Sequence, residues 1–283
     1  MSTSANQPFV ESVFHPSDFS VASERAFAHA LAIALRGNTR LVILNVGKGD
    51  KRRRWTNFPS VRGTLARWGL LETGTSRESV SHDLAVRVKK VSLRKRRPLS
   101  AVLQYLDEHP TDLIVLATEG REGLPRWIRP SMAERLARAS KTLTLFVSGS
   151  SRGFVSVDGG GVSLRRILVP IDYHPNPAMA VRVAARAANL AVELPVEVAF
   201  LHVGDADQGP EVGLPESEAC AWAHLRRSGD IVDAIIGTAN EQSADLIIMA
   251  TAGHEGVLDA FRGSVTEQVL RRAPCPVLAV PTG

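Results

Sequence analysis

A chain of 283 residues, 44% hydrophobic and 22% charged, is large enough for two globular domains of ordinary size, each burying its own core. No apolar stretch approaches bilayer length, the first eight residues are polar with no signal-peptide core, and Cys220 and Cys275 lack CxxC spacing, so the expectation is a cytoplasmic protein with no membrane span, disulfide framework or cysteine metal site. The net charge of +5 divides into 25 Lys+Arg against 13 Asp+Glu over residues 1–155 and 9 against 16 over 156–283; the basic runs at 51–54 and 89–97 border loops without closely interleaved aromatics, read as solvated rims or as attraction for the acidic half, and no nucleic-acid binding is expected.

In chain order, the residues Val10–His15 read as a strand and Pro16-Ser17-Asp18 as a turn. A helix is expected from about Ser20 to Arg36, with Ser20 as N-cap and an apolar face of Ala22, Ala26, Phe27, Ala30, Leu31 and Ala34. The strand 40–46 follows, then a basic loop with Trp55, a helical stretch over 61–72, and a strand over 85–91. A helix with proline at its start covers 98–109, followed by the strand 112–117, a glycine-bearing loop, a helix over 131–140 and a strand over 142–148. Residues 149–163 are rich in glycine and serine and read as a flexible linker. The same order then returns: strand 165–170, helix 176–192, strand 196–203, a loop over 204–220, strand 221–226, helix 229–241, strand 245–250, glycine-bearing loop, helix 264–272 and strand 276–280.

The repetition is explicit in one phrase. Ala117-Thr-Glu-Gly-Arg-Glu-Gly-Leu124 and Ala250-Thr-Ala-Gly-His-Glu-Gly-Val-Leu258 each follow an apolar run opened by an acid, Asp112 or Asp245. Strand, glycine loop, helix and strand is the layout of an α/β unit that can cradle phosphate, and its duplication predicts two such units. The domains are expected at 1–150 and 164–283, joined by 151–163. Each is a doubly wound α/β sandwich with a five-stranded parallel sheet. Ligands in such sheets bind beyond the carboxyl ends of the strands. That gathers Asp172, Val203 and the 250–256 loop at one mouth, and Asp18, Val46 and 117–123 at the matching place in the first half.

The second half resembles the universal stress protein family over nearly its whole length. The family's G-x2-G-x9-G-[ST] loop, which in the nucleotide-binding branch wraps the ribose and phosphates of ATP, is matched by Ala250-x2-Gly253-x9-Gly263-Ser264, and 263–280 matches the family's closing helix and strand. The first half matches more loosely, with Pro130 at the third glycine position. The chain is thus similar to a tandem member of the family with an adenine-nucleotide-hydrolase-like fold. The resemblance implies that the halves pack as an intramolecular pseudo-dimer, with a homodimer of chains also open to it. The closing strands 142–148 and 276–280, as uncovered apolar edges, are the expected contact.

The resemblance further implies an adenine nucleotide, ATP or AMP with accompanying Mg²⁺, in the second half. Asp172, after Pro170, would hold ribose or the adenine edge, and the backbone of Val203 would read adenine. Gly253 and Gly256 can adopt φ > 0 and bring amides to an anion, while Ser264, Val265 and Thr266 open a helix with unbonded N–H groups. His254 could pair with phosphate. Ala250 puts a Cβ where the family has glycine, and Pro130 removes an amide from the first-half loop, so the first half is expected to bind nucleotide poorly. The protein would act as a stress-response sensor or regulator.

Two other readings follow from the residues. His174, His202 and His254, with Asp172 and Glu255, could form a metal or small-anion module, although a histidine at the position of His202 also fits a structural role. Alternatively both pockets are vestigial and the chain is an interaction scaffold. No nucleophile elbow, Walker loop or triad is legible, so no catalytic residue is assigned and the chain is expected not to be an enzyme, slow ATP hydrolysis being the open exception. Glu122 and Glu255 are assigned to solvated loop positions. His15, His29, His82, His109 and His224 have no partner legible in sequence and are assigned to surface or helix-packing roles.

Overall fold

The structure, a computed structural model, describes residues 9–47, 55, 60–72, 84–118, 132–149, 151–204, 209–252 and 264–282. The first half runs β1 (Ser12–Pro16), α1 (Val21–Gly37), β2 (Arg40–Val46), α2 (Val61–Arg67), β3 (Arg87–Leu93), α3 (Pro98–Glu108), β4 (Leu113–Thr118), α4 (Met132–Ser140) and β5 (Leu143–Ser148). The second runs β6 (Arg166–Pro170), α5 (Ala178–Ala188), β7 (Val196–Val203), β8 (Cys220–Arg227), α6 (Ile231–Glu241), β9 (Leu246–Ala252), α7 (Val265–Arg272) and β10 (Val277–Thr282).

Local chemistry sets the helix ends. Ser20, in extended conformation, accepts from the Ser23 amide to open α1, and Asn38 at φ 51° closes it. Asp230 caps α6 by accepting from the Asp233 amide at 2.9 Å. Two helices are shorter than their apolar pattern predicts. α2 stops at Arg67, where Trp68 turns to pack on the core, and α5 spans 178–188 rather than 176–192.

The two five-stranded sheets are one. The strand order is β3-β2-β1-β4-β5-β10-β9-β6-β7-β8. All neighbours are parallel except β5 and β10, which pair antiparallel through Phe146↔Val277, Leu145↔Leu278 and Thr144↔Ala279. The strands expected to meet are therefore hydrogen-bonded neighbours in a continuous sheet. α1 and α5 cover one face over a shared core that includes Leu31, Leu145, Val181 and Leu278. The other face carries two cores, one per half, and Leu270 of α7 touches both.

The repeated acids have a structural task. Asp112 Oδ2 accepts from the Glu11 amide at 3.1 Å and from Ser12 Oγ at 2.9 Å. Asp245 Oδ2 accepts from the Arg165 and Arg166 amides at 2.8 and 3.0 Å. Each ties the start of the fourth strand of its half to the start of the first, satisfying amides that the sheet ladder leaves open.

The glycine- and serine-rich segment expected to be a flexible linker is packed instead. Phe154 and Val155 are buried, Val155 bridges to Val162, and the Phe154 ring meets His29 edge-on at 4.7 Å. Arg25 donates to the Ser151 carbonyl, Arg152 donates to the Ala244 carbonyl at 3.1 Å, and Trp68 donates to the Val157 carbonyl at 2.9 Å. Composition predicts mobility here; the two apolar side chains amid the glycines override it by joining the core.

Candidate functional site

Because β6, β7 and β9 are parallel, their carboxyl ends lie at one end of the sheet. Pro170 closes β6, and the Ile171 amide donates to the Leu201 carbonyl at 2.8 Å, holding the exit of β6 against β7. Asp172 follows, exposed, with Oδ1 accepting from the Tyr173 amide at 2.8 Å. Val203 closes β7, and the next amide, Gly204, donates to the Arg227 carbonyl at 2.9 Å.

β9 extends past its expected end to Ala252, in register with β10 to Thr282. Ala250 lies in the strand, as expected, half-buried against the core shared with α5. Thr251 is clamped between strands, its Oγ1 donating to the Val280 carbonyl at 3.3 Å while its carbonyl accepts from Thr282 Oγ1 at 3.1 Å.

The helix α7 leads from β9 back to the parallel β10, so its N-terminus opens at the same end of the sheet as these strand ends. Ser264 is its N-cap, φ −64° and ψ 154°, with Oγ accepting from the Glu267 amide at 3.2 Å. Glu267 is buried and pairs with Arg271 at 2.5 Å. The Val265 and Thr266 amides, in the first turn, have no intrahelical carbonyl. Gly253, His254, Gly256 and Gly263 lie outside the described residues, as do Glu255, Glu122 and the first-half loop with Pro130.

His202 is buried beside this mouth. Its Nδ1 lies 3.4 Å from the Ile171 carbonyl and its ring meets Tyr173 edge-on at 6.2 Å. A Cβ on either Gly204 or Gly209 would approach the ring to 3.1 Å. Asn45 stands at the same place in the first half, its Nδ2 donating to the Ser17 carbonyl at 2.8 Å. In each half a polar side chain one residue before the end of the second strand pins the chain just after the first. His174 is exposed. Among the described residues no group of three or more His, Cys, Asp or Glu could hold a metal ion.

The first-half mouth contains a feature that sequence reasoning missed. His15, assigned to surface or helix packing, is fully buried: Nδ1 lies 2.9 Å from the Val115 carbonyl and Nε2 3.5 Å from Ser23 Oγ, which in turn is 2.7 Å from Ser17 Oγ. Burial pushes the His15 pKa down to about 4 against the pull of the Val115 carbonyl, so the ring is neutral near pH 7. The signal was available. Val13-Phe-His-Pro-Ser-Asp18 aligns with Ile167-Leu-Val-Pro-Ile-Asp172, so His15 and Ser17 are polar where the repeat has Val169 and Ile171.

His29, His109 and His224 also have partners. His29 Nδ1 lies 2.8 Å from the Arg25 carbonyl, and burial lowers its pKa to about 4. His109 stacks on Tyr105 at 4.2 Å, and His224 lies 5.2 Å from the Phe200 ring. His82 lies outside the described residues.

Comparison with known proteins agrees with this architecture. The model of the universal stress protein family matches residues 12–148 and 216–281. A universal stress protein of Methanocaldococcus jannaschii is 29% identical over 143 residues, 41% of this chain and 81% of that protein. One from Thermus aquaticus is 40% identical over 68 residues, 24% of this chain and 46% of the relative. The solved structure of a universal stress protein from Archaeoglobus fulgidus superposes with a TM-score of 0.62 at 17% identity, covering 96% of this chain and 99% of its own. At that identity the likeness is one of fold.

Proposed function

This chain belongs to the universal stress protein family, and on that premise we propose that its second half binds an adenine nucleotide, ATP or AMP. The observation that carries the reading is the shared sheet end of Asp172, Val203 and the Ser264-capped start of α7, the described members of the family's nucleotide motif. Asp172 is exposed there and able to accept from ribose hydroxyls, and the uncommitted Val265 and Thr266 amides suit a phosphate. His202 and the Ile171 amide hold the β6–β7 exit in place, so that the ligand meets a preorganised floor. Ala250 packs against the core shared with α5, which supports a site that tolerates its Cβ.

In the first half the buried His15–Ser23–Ser17 chain gives the corresponding floor a different, polar construction, consistent with an asymmetric pair in which the second half carries the ligand. The protein then acts as a non-enzymatic, cytoplasmic sensor or regulator whose partner surface depends on nucleotide occupancy, with Mg²⁺ accompanying ATP.

Calorimetric titration of the full chain with ATP and AMP tests this. Saturable heat from the wild type, lost in Gly263→Val, is the expected result. No heat from either adenylate, or a variant that titrates like the wild type, overturns it.

A further inference from the structure

The positive charge of the first half has a specific location. Six cations, Arg87 and Lys89 on β3 and Arg94, Lys95, Arg96 and Arg97 in the turn that leads into α3, are all exposed at the outer edge of the sheet. Among the described residues none of the six makes an ion pair or a side-chain hydrogen bond. Among the described residues no ion pair joins them to the acidic half: Arg67–Glu24 lies within the first half, and the other pairs lie within the second.

We propose that this edge binds the phosphate backbone of nucleic acid without reading its sequence. Arg87 and Lys89 alternate with Val88 and so project from one face of β3, roughly 7 Å apart along the strand. Among the described residues β3 has β2 as its single strand neighbour, with no strand paired on its other side. Arg94 to Arg97 continue the row beyond the end of the strand. Lys90, on the opposite face, lies over the Trp55 ring at 5.0 Å, and the Trp55 indole donates to Ser92 Oγ at 2.7 Å. The Trp55 ring beside the strand is thus engaged by the protein itself, which favours phosphate contact over base stacking as the mode of binding.

Two other polyanionic partners fit less well. Stable attachment to a membrane surface is strengthened by apolar side chains that insert beside the cations, and among the described residues of the first half Leu70, outside the patch, is the one large exposed hydrophobic residue. An acidic protein would need aromatic or aliphatic anchors at the centre of the contact, where lysine is disfavoured. A run of exposed cations that, among the described residues, has neither an ion pair nor an apolar anchor beside it suits a regularly spaced phosphate chain.

The surface lies at the opposite end of the strand order from β6, β7 and β8, so it is separate from the proposed nucleotide site and does not depend on it. Fluorescence anisotropy of the full chain with a labelled mixed-sequence RNA single strand, and with a DNA duplex, tests the proposal across a salt series. Binding should weaken linearly on a log–log plot, with a slope of about −0.7 per phosphate contacted for a single strand and about −0.9 for a duplex.

The triple variant K95E/R96E/R97E should lose at least about tenfold in affinity at low salt and show a shallower slope. R165E/R166E, which reverses cations already paired in the second half, should bind as the wild type does. An unchanged melting curve for the triple variant separates loss of contact from loss of fold. Absence of binding at low salt, equal binding by wild type and triple variant, or binding to phosphatidylserine vesicles without binding to either oligonucleotide each overturns the proposal.

Discussion

His15 and His29 are neutral rings sealed in the first half, 0% exposed, and this has a consequence for stability. In the unfolded chain both take up protons as pH falls through about 6.5, whereas in the fold burial delays protonation to about 4. The folded state is therefore at full stability above about pH 6.5 and loses it as pH falls toward 4, by about 3 kcal/mol for each ring at the limit. The urea midpoint is expected to fall steadily across that window. In His29→Gln roughly half of the fall should disappear; a midpoint that does not vary between pH 7 and 4.5 would refute the assignment. Among the described residues His29 Nε2 has no hydrogen-bond partner, and it sits under Gly153, where a Cβ would come within 2.9 Å of it. The repeat aligns His15 with Val169, but the groups that enclose its ring, such as Val115, lie 100 residues away and are set by the fold.

Among the elements, the segment 151–163 shows how few side chains are needed to turn a loop into a clasp. Its composition is that of a tether, and its glycines do provide the turn, with Gly160 at φ +68°. The same glycine lets the Trp68 ring pass so close that a Cβ would stand 2.3 Å from it. Gly160→Ala should therefore cost about 1–3 kcal/mol, from strain at positive φ added to the ring clash. Thermal unfolding checks this, and a melting temperature equal to the wild type would contradict the clasp. The glycine-loop elements behave differently. The strand before the loop and the helix after it follow from apolar runs and a Ser264 cap written in consecutive residues, so that part of the candidate site was legible. That the strand runs on through Thr251 and Ala252 was not, because this extension of β9 depends on pairing with β10.

At the scale of the whole molecule, the antiparallel β5–β10 seam makes one sheet of two repeats. Leu145 and Leu278 face each other there, 2% and 1% exposed, in the core that α1 and α5 share. Leu278→Ala should cost about 2–5 kcal/mol, and because the core is continuous, amide exchange should accelerate in β2 of the first half as well as in β7 of the second. Acceleration confined to the second half would show that the repeats unfold independently. The basic outer edge at β3 and the nucleotide mouth of the second half stand at different places on this single sheet, which gives each an independent surface.

The sequence by itself determined the repeat, the alternation of strands and helices, the helix caps and which strand ends carry the candidate nucleotide residues. Each of these is encoded by residues within one or two turns or one strand of each other, where apolar period and capping chemistry act directly. Only the tertiary structure decided that the two sheets fuse, that the linker is buried, that two histidines are neutral in the core and that, among the described residues, Arg87 and Lys89 of β3 make no ion pair. Those outcomes depend on contacts between residues many tens of positions apart, where desolvation and pairing are set by what the fold brings alongside.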